Sequence, residues 1–311
     1  MSASATADYP TISLEQVSFD ADGARLAGNL FLPANHGTRP GLPAIVVTGT
    51  WTSVKEQMAN RYAAALARRG LAALSFDFTG FGTSGGQPRD VESARLKALD
   101  IRHAAEFLAG HPAVDGERVG ALAICASAMY ATLAATDDPR LRALALIAPW
   151  LHDATLVREI YGGEQGVRQR LQVADQAAAR YQQTGVVEYV PVADASDPQA
   201  AMPMEIDFYT NPARGKIPGW PNRFAVMAWR EWLTLDAVAL APSVRVPTLL
   251  VHSHDAAIPD GARRFYDQLT CPKQITWTAG TQFDFYDDEA TVDVAVTNAV
   301  PHLLRYLSPA G

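Results

Sequence analysis

Apolar and polar residues alternate at the start of the chain and then separate into blocks. Residues 13–20 (SLEQVSFD) and 25–33 (RLAGNLFLP) read as two strands joined by the polar turn Ala21-Asp22-Gly23. The run from Ala44 to Gly49 lacks polar alternation, the pattern of a strand covered on both faces. Then helical and strand-like stretches take turns. Gln57 to Arg69 reads as a helix stopped by Gly70, Leu71 to Phe78 as a strand, and Val91 to Leu108 as a long amphipathic helix. Val119 to Cys125 reads as a strand, Ser127 to Ala135 as a helix, and Leu141 to Ile147 as a strand. Such alternation predicts a mostly parallel central sheet flanked by helices.

The rhythm breaks after the sixth strand. Residues 149–242 are polar, Gln-rich and aromatic, and read as a mostly helical cap inserted into a core made of 1–148 and 243–311. The rhythm returns with a strand over Val246–His252, a helix over Gly261–Leu269, a strand over Gln274–Trp277 and a last helix ending near Tyr306.

Composition narrows the function classes. Apolar residues make up 48% of the 311, enough for a sizeable core, and the net charge is −7. A chain of that charge, without a basic stripe, is not expected to bind nucleic acid or a membrane surface. No apolar run approaches the ~18 residues of a membrane span. The start, MSASATADYP, lacks the basic and apolar regions of a secretory leader, and the two cysteines, Cys125 and Cys271, fit a reducing cytoplasm. No nucleotide, redox-cofactor or metal motif stands out. The segment His252-Ser-His-Asp255 has metal-binding residue types but no third well-spaced ligand. The oligomeric state, including a homo-oligomer, is left open.

The candidate chemistry sits at Gly120 to Ala131 (GALAICASAMYA). A nucleophile elbow is a strand turning sharply into a helix, with small residues two positions before and after the reactive one. Around Cys125 those positions are Ala123 and Ser127. A helix N-terminus there is expected to lower the thiol pKa. The alternative is a buried cysteine acting as a small apolar filler. Gly82-Thr-Ser-Gly-Gly86 also satisfies G-x-S-x-G, but it lies away from the strand end with Pro88 behind it, so it reads as a loop.

With these segments in view the chain resembles the α/β-hydrolase superfamily. Asp77 to Gly86 is similar to its loop after the fourth strand, Thr48-Gly-Thr-Trp51 to its oxyanion loop, and Asp255-Ala-Ala-Ile-Pro259 to its acid-bearing segment. Ile124-Cys-Ala-Ser127, with Val54-Lys-Glu-Gln57, Tyr209-Thr-Asn-Pro212 and Trp220-Pro-Asn-Arg-Phe224, resembles a cysteine-elbow branch related to dienelactone hydrolases and polyketide acyltransferases. The resemblance implies an α/β-hydrolase fold and an enzyme acting on an ester, lactone or thioester through Cys125. Backbone N–H groups of Ala126 and of Thr50 or Trp51 would form the oxyanion hole, and Asp255 would orient a histidine. Trp220 and Phe224 would help roof a pocket for a small acyl substrate, apolar or aromatic. The resemblance implies no cofactor.

One position departs from the family. Gln282 stands where the histidine belongs, in Ala279-Gly-Thr-Gln-Phe-Asp-Phe-Tyr-Asp287. A glutamine cannot accept and return a proton near neutral pH. Acylation of a cysteine suffers less from that loss than deacylation by water. Three accounts are open. His254, or His252, replaces the base; the reaction is a transfer, a cyclisation or a non-covalent step that needs none; or Gln282 is itself an introduced substitution. Alternatives to hydrolysis are therefore an acyltransferase or cyclase on a polyketide-like thioester, and a silent ligand-binding homologue. Lys55 and Glu56 read as solvated helix-start charges, and Tyr130 as packing.

Overall fold

A computed structural model describes residues 11–34 and 41–308; the N-terminal segment read above for a leader lies outside the described residues. The first two strands, β1 (Ile12–Ala21) and β2 (Ala24–Pro33), form an antiparallel hairpin. Its two turn residues, Asp22 and Gly23, take φ of 43° and 93°, as a two-residue hairpin turn matched to strand twist requires. The core continues through β3 (Leu42–Thr48), α1 (Ala59–Arg68), β4 (Ala72–Phe76), α2 (Ala94–Ala109), β5 (Val114–Ile124), α3 (Ser127–Asp137) and β6 (Leu141–Ile147).

Then comes the insertion: α4 (Ala154–Ile160), α5 (Gly163–Thr184), β7 (Tyr189–Pro191), α6 (Asp207–Thr210), β8 (Arg223–Ala225), α7 (Trp229–Thr234) and α8 (Ala237–Leu240). The core resumes with β9 (Thr248–Ser253), α9 (Pro259–Gln268), β10 (Lys273–Thr278), α10 (Asp284–Asp287) and α11 (Glu289–Tyr306).

The large sheet has the order β1-β2-β4-β3-β5-β6-β9-β10. From β4 to β10 every pairing is parallel, and β2 meets β4 antiparallel. Every residue of β3 and β4 is buried, as the unbroken apolar runs predict for strands with helices on both faces. The elements follow the pattern, with shifts at their ends. α2 begins at Ala94 rather than Val91, because the Ser93 hydroxyl caps it by accepting the Leu96 N–H at 3.2 Å. Residues 90–92 are thereby left outside the helix, where they bind other parts of the molecule. The long helix of the insertion, α5, lies in its first half. Past Gly185 the insertion runs mainly as loop, with β7 and β8 as a short antiparallel ribbon. Pro191, Pro198, Pro203, Pro212, Pro218 and Pro221 interrupt that stretch, and each removes a helix hydrogen bond. Among the described residues no helix is long and apolar enough to cross a membrane.

Two buried histidines are built into the join between the halves. His152, after β6, accepts the Trp150 Nε1–H at 2.9 Å and meets the Trp232 ring edge-on. His252, on β9, stacks on Trp277 of β10. Burial pushes each imidazole down to about 4. Because the folded pKa lies below the unfolded value, the unfolded chain binds more protons between pH 6.5 and 4. Stability therefore falls as pH drops through that window, by roughly 2–3 kcal/mol per histidine at pH 4.5. Asp100 works in the opposite sense: burial raises its carboxyl to about 6, so it favours the fold as pH falls. His252→Phe is thus expected to lose less melting temperature than the wild type between pH 7 and 4.5. Parallel pH curves for the two proteins would contradict the assignment.

Candidate active site

The sharp turn expected at Cys125 is present. β5 ends at Ile124, α3 starts at Ser127, and Cys125 between them has φ of 58°, a left-handed conformation unusual for any residue but glycine. The Cys125 N–H donates to the Ile147 carbonyl at 2.9 Å, and its own carbonyl accepts the Trp150 N–H at 3.0 Å. The Ser127 hydroxyl accepts the Ile124 N–H at 3.1 Å and the Thr48 Oγ1–H at 3.0 Å, tying the turn to the end of β3. Ala123 and Ser127 are fully buried, which explains the demand for small residues there.

The Cys125 thiol is 5% exposed, and burial raises its pKa. The lowering expected from the helix N-terminus is thus overridden by desolvation of the thiolate. Working against burial are donors around the sulfur: the Thr50 hydroxyl, the Tyr286 hydroxyl, the Ala126 N–H and the Gln282 amide. Thr50 Oγ1 and the Tyr286 hydroxyl lie 3.2 Å apart, and the Tyr209 hydroxyl also hydrogen-bonds with Thr50. Burial raises both tyrosines, first of all causes, so both are neutral phenols at neutral pH.

Gln282 is held in one orientation. Its Oε1 accepts the Ala257 N–H at 3.0 Å; its Nε2 donates to the Ala148 carbonyl at 3.0 Å and lies 3.4 Å from the Tyr286 hydroxyl. A backbone N–H can only donate and a carbonyl can only accept, so the amide cannot be flipped. Its acceptor oxygen is taken by the Ala257 N–H, and the amide end is the side that favours the Cys125 thiolate.

The acid segment is placed differently from the family expectation. Asp255 is exposed, and the backbone of Ala257 occupies the position against Gln282. A turn in which the Asp255 N–H donates to Ser253 Oγ at 3.0 Å carries the carboxylate outward. His254 is exposed too. Its ring lies flat on Trp277, with centroids 4.4 Å apart, and its Nδ1 is 2.8 Å from Arg263 Nη2. These contacts hold the imidazole at the surface. His252 is buried and packed on the same tryptophan. The four residues 252–255 diverge, and among the described residues no three His, Cys, Asp or Glu side chains converge as a metal site.

The loop after β3 is gripped from two sides. Thr52, at φ of 57°, donates its N–H to Glu92 Oε2 at 2.9 Å, and its carbonyl accepts the Trp220 Nε1–H at 3.1 Å. Glu92 is buried and also takes the Lys97 ammonium at 2.7 Å and the Tyr130 hydroxyl at 2.5 Å. Burial lowers the Lys97 pKa, and the adjacent Glu92 carboxylate opposes that fall. Tyr130 is therefore a hydrogen-bonding member of this cluster as well as packing. Trp51 packs among Phe224, Trp229 and Trp232 of the insertion, at centroid distances of 4.8, 5.8 and 4.9 Å. Lys55 is buried rather than solvated, because its ammonium pairs with Asp77 at 2.6 Å, whereas Glu56 is exposed. Ser84 is buried and donates to the Asp77 carbonyl at 2.5 Å, a bracing role in its loop.

The structure thus brings Cys125, Thr50, Ala126 and Gln282 together, sets Trp51, Trp220 and Phe224 around them, and leaves Asp255 and His254 outside. Glu92, Tyr209 and Tyr286 were not singled out as site residues. Tyr286 carried a signal, since it lies four residues after Gln282 and so on the same face of a helical turn.

Comparison with known proteins bears on the family and the fold. The family model described as X-Pro dipeptidyl-peptidase (S15 family) matches residues 22–281. The Pseudomonas aeruginosa protein PA2218 is 29% identical over 276 residues, covering 85% of this chain and 73% of the relative. Its crystal structure superposes with a TM-score of 0.79 at 25% identity, covering 97% and 99% of the two chains. A polyketide transferase of Stachybotrys chlorohalonatus, ATR5, is 25% identical over 84% of this chain and 86% of its own. A thiohydrolase of Eupenicillium brefeldianum is 24% identical over 81% of each. The structure of the alpha/beta hydrolase GrgF from a Penicillium species matches with a TM-score of 0.78 at 20% identity, over 96% and 99% of the chains. The fold is an α/β-hydrolase fold.

A buried thiol with a raised pKa and no base beside it reacts through whatever thiolate the pH supplies. Alkylation of Cys125 is expected to keep rising past pH 9, and Tyr286→Phe is expected to slow it about 3- to 10-fold at pH 8 by removing a donor to the thiolate. Peptide mapping after timed iodoacetamide exposure reads both. A plateau below pH 8 would mean that a base activates the thiol.

Proposed function

Since this chain belongs to the X-Pro dipeptidyl-peptidase (S15) family of α/β-hydrolase-type enzymes, we propose that it transfers an acyl group from a thioester through Cys125. The observation behind this reading is the set of neutral polar groups that favour the thiolate: the Thr50 and Tyr286 hydroxyls, the Ala126 N–H and the Gln282 amide, none of them a base. The family name fixes a fold group and a general chemistry rather than a substrate.

A site without a base selects its leaving group. Cleavage of a peptide or an oxygen ester expels an amine or alkoxide that must be protonated as it leaves, a role the missing histidine would fill. A thioester expels a thiolate whose basicity is close to that of Cys125 itself. The Cys125 sulfur bonds to the carbonyl carbon, the carbon–sulfur bond to the leaving thiol breaks, and the Cys125 proton ends on the departing sulfur. One thiol is consumed and one released. The developing oxyanion would be met by the Ala126 N–H and the backbone of Thr50 or Trp51.

Release of the acyl group follows the same logic. Water is a poor nucleophile without a base, so the acyl-enzyme waits for a better acceptor, an amine or a hydroxyl held in place. The acceptor's heteroatom bonds to the acyl carbon, Cys125 leaves, and the acceptor's proton returns to the sulfur. The buried aromatic surface of Trp51, Phe224, Trp229 and Trp232 favours an apolar or aromatic portion in the acyl group. The relatives named as polyketide transferase and thiohydrolase support a thioester donor.

Intact-protein mass spectrometry after mixing with a short acyl thioester of N-acetylcysteamine tests the reading. An acyl adduct is expected on the wild type and none on Cys125→Ala, with adduct decay accelerated at least tenfold by an added primary amine. Gln282→His is expected to speed hydrolysis of the adduct by about 10²-fold, the lower end of general-base catalysis, because Asp255 is not placed to orient the new ring. Thiol release without any adduct, together with unaided hydrolysis, would replace transfer by ordinary hydrolysis. No thiol release at all would remove Cys125 as the nucleophile.

A further inference from the structure

The Cys125 sulfur is buried, so a substrate reaches it only by displacing part of its cover. Two aromatic walls pack against the loop after β3, which carries Thr50 beside the sulfur. One is the cluster of Trp51, Phe224, Trp229 and Trp232, whose rings interlock. The other is a pair, Tyr209 and Trp220, stacked with centroids 5.0 Å apart and planes at 26°. The two walls differ in what lies behind them. Tyr209 and Trp220 form part of the lining of a cleft of about 550 Å³ in the insertion, shared with Asp194, Ser196, Glu205 and Lys216 among others. On their other side the same two residues reach the site: Tyr209 hydrogen-bonds with Thr50, and Trp220 Nε1 donates to the Thr52 carbonyl at 3.1 Å.

Resting on the acyl-transfer reading, we infer that this cleft is the entrance and donor-binding site for the thioester, and that the Tyr209–Trp220 pair is the gate between it and Cys125. The volume falls within the range of small-molecule sites. Its chemistry narrows the donor. Carboxylate, hydroxyl, amide and ammonium groups line the cleft, so the part of the donor lying there carries hydrogen-bonding groups such as amides, ketones or hydroxyls. Ser196 pairs with Asp194 and Thr210 with Glu205, while the Lys216 ammonium is exposed, so a polar donor group would exchange with these contacts and with water there.

The gate is lightly fastened. Opening it at Trp220 breaks one neutral side-chain hydrogen bond and one ring stack. Opening the other wall separates several interlocked rings. The fastening point also matters, because the Thr52 carbonyl belongs to the loop that would supply oxyanion donors. Glu92 holds the same residue by its N–H from the core side. Closure of Trp220 over a bound donor therefore completes the grip on Thr52, which makes Trp220 a positioning residue for that loop.

Labelling of Cys125 by thiol reagents of two sizes tests this without requiring turnover. The background is Cys271→Ser, so that only Cys125 reacts, and the probes are iodoacetamide and fluorescein-maleimide. Trp220→Ala is expected to accelerate the bulky reagent at least tenfold and the small one much less. Trp220→Phe, which keeps the ring and loses the Nε1–H, is expected to fall between and serves if Trp220→Ala does not fold. Ser196→Trp, which narrows the cleft, is expected to slow the bulky reagent in the Trp220→Ala protein. Equal acceleration of both reagents, or indifference to Ser196→Trp, would overturn the route. If labelling behaves as expected while no acyl adduct forms from a thioester, the gate stands and the acyl-transfer reading fails.

Discussion

Cys125 occupies a left-handed backbone conformation that costs a non-glycine residue about 1 kcal/mol or more, and the surrounding chain is arranged to keep it there. Its N–H is taken by Ile147 at the end of β6 and its carbonyl by Trp150 just beyond, and the Ser127 hydroxyl pins the turn to β3. Three adjacent strands thus converge on one residue. Each of the groups that surround the sulfur depends on this convergence: Thr50 comes from the end of β3, Ala126 from the turn itself, and Gln282 from the segment after β10, anchored to Ala148 just past β6. If the turn relaxed, the donors would lose their common target.

The donors create an electrostatic environment with a definite sign. Burial disfavours the thiolate, and neutral dipoles pointed at the sulfur recover part of that cost without supplying a proton acceptor. A histidine would have coupled charge formation to proton removal. Gln282 keeps the geometry of a side chain at that position, with both ends bonded, and drops the proton transfer. The site is therefore suited to exchange between groups of similar basicity and poorly suited to activating water.

Glu92 connects this site to the insertion. It binds the Thr52 N–H, the Tyr130 hydroxyl on α3 and the Lys97 ammonium on α2, while Asp90, two residues earlier, pairs with Arg223 of β8 at 2.6 Å. A short segment between β4 and α2 thus links the loop after β3, α3 and the insertion. Lys97 is wrapped by Phe78, Phe81 and Tyr130, with the ammonium 4.1 Å from the Phe81 ring centroid, so the ion pair is excluded from water. Removing one partner would leave an uncompensated buried charge, which makes this cluster rigid.

Periodicity along the chain determined the core elements, because a strand buried on both faces and a helix with one apolar face leave distinct local patterns, as at Ala44–Val47 and Ala94–Leu108. The elbow was legible for the same reason: a steric demand for small residues two positions either side of Cys125 is local in sequence. The absence of a histidine was legible as well. What the sequence left undetermined depends on where side chains meet across the fold. Asp255 and Gln282 read as partners, but a turn closed by Ser253 takes Asp255 to the surface and gives Gln282 to the backbone of Ala257. Lys55 read as a solvated charge, and only the approach of the loop after β4, which brings Asp77 to it, buries it. The thiol pKa followed the same rule. The sequence shows a helix N-terminus, a local feature, whereas desolvation is a property of everything packed around the sulfur, and here it prevails.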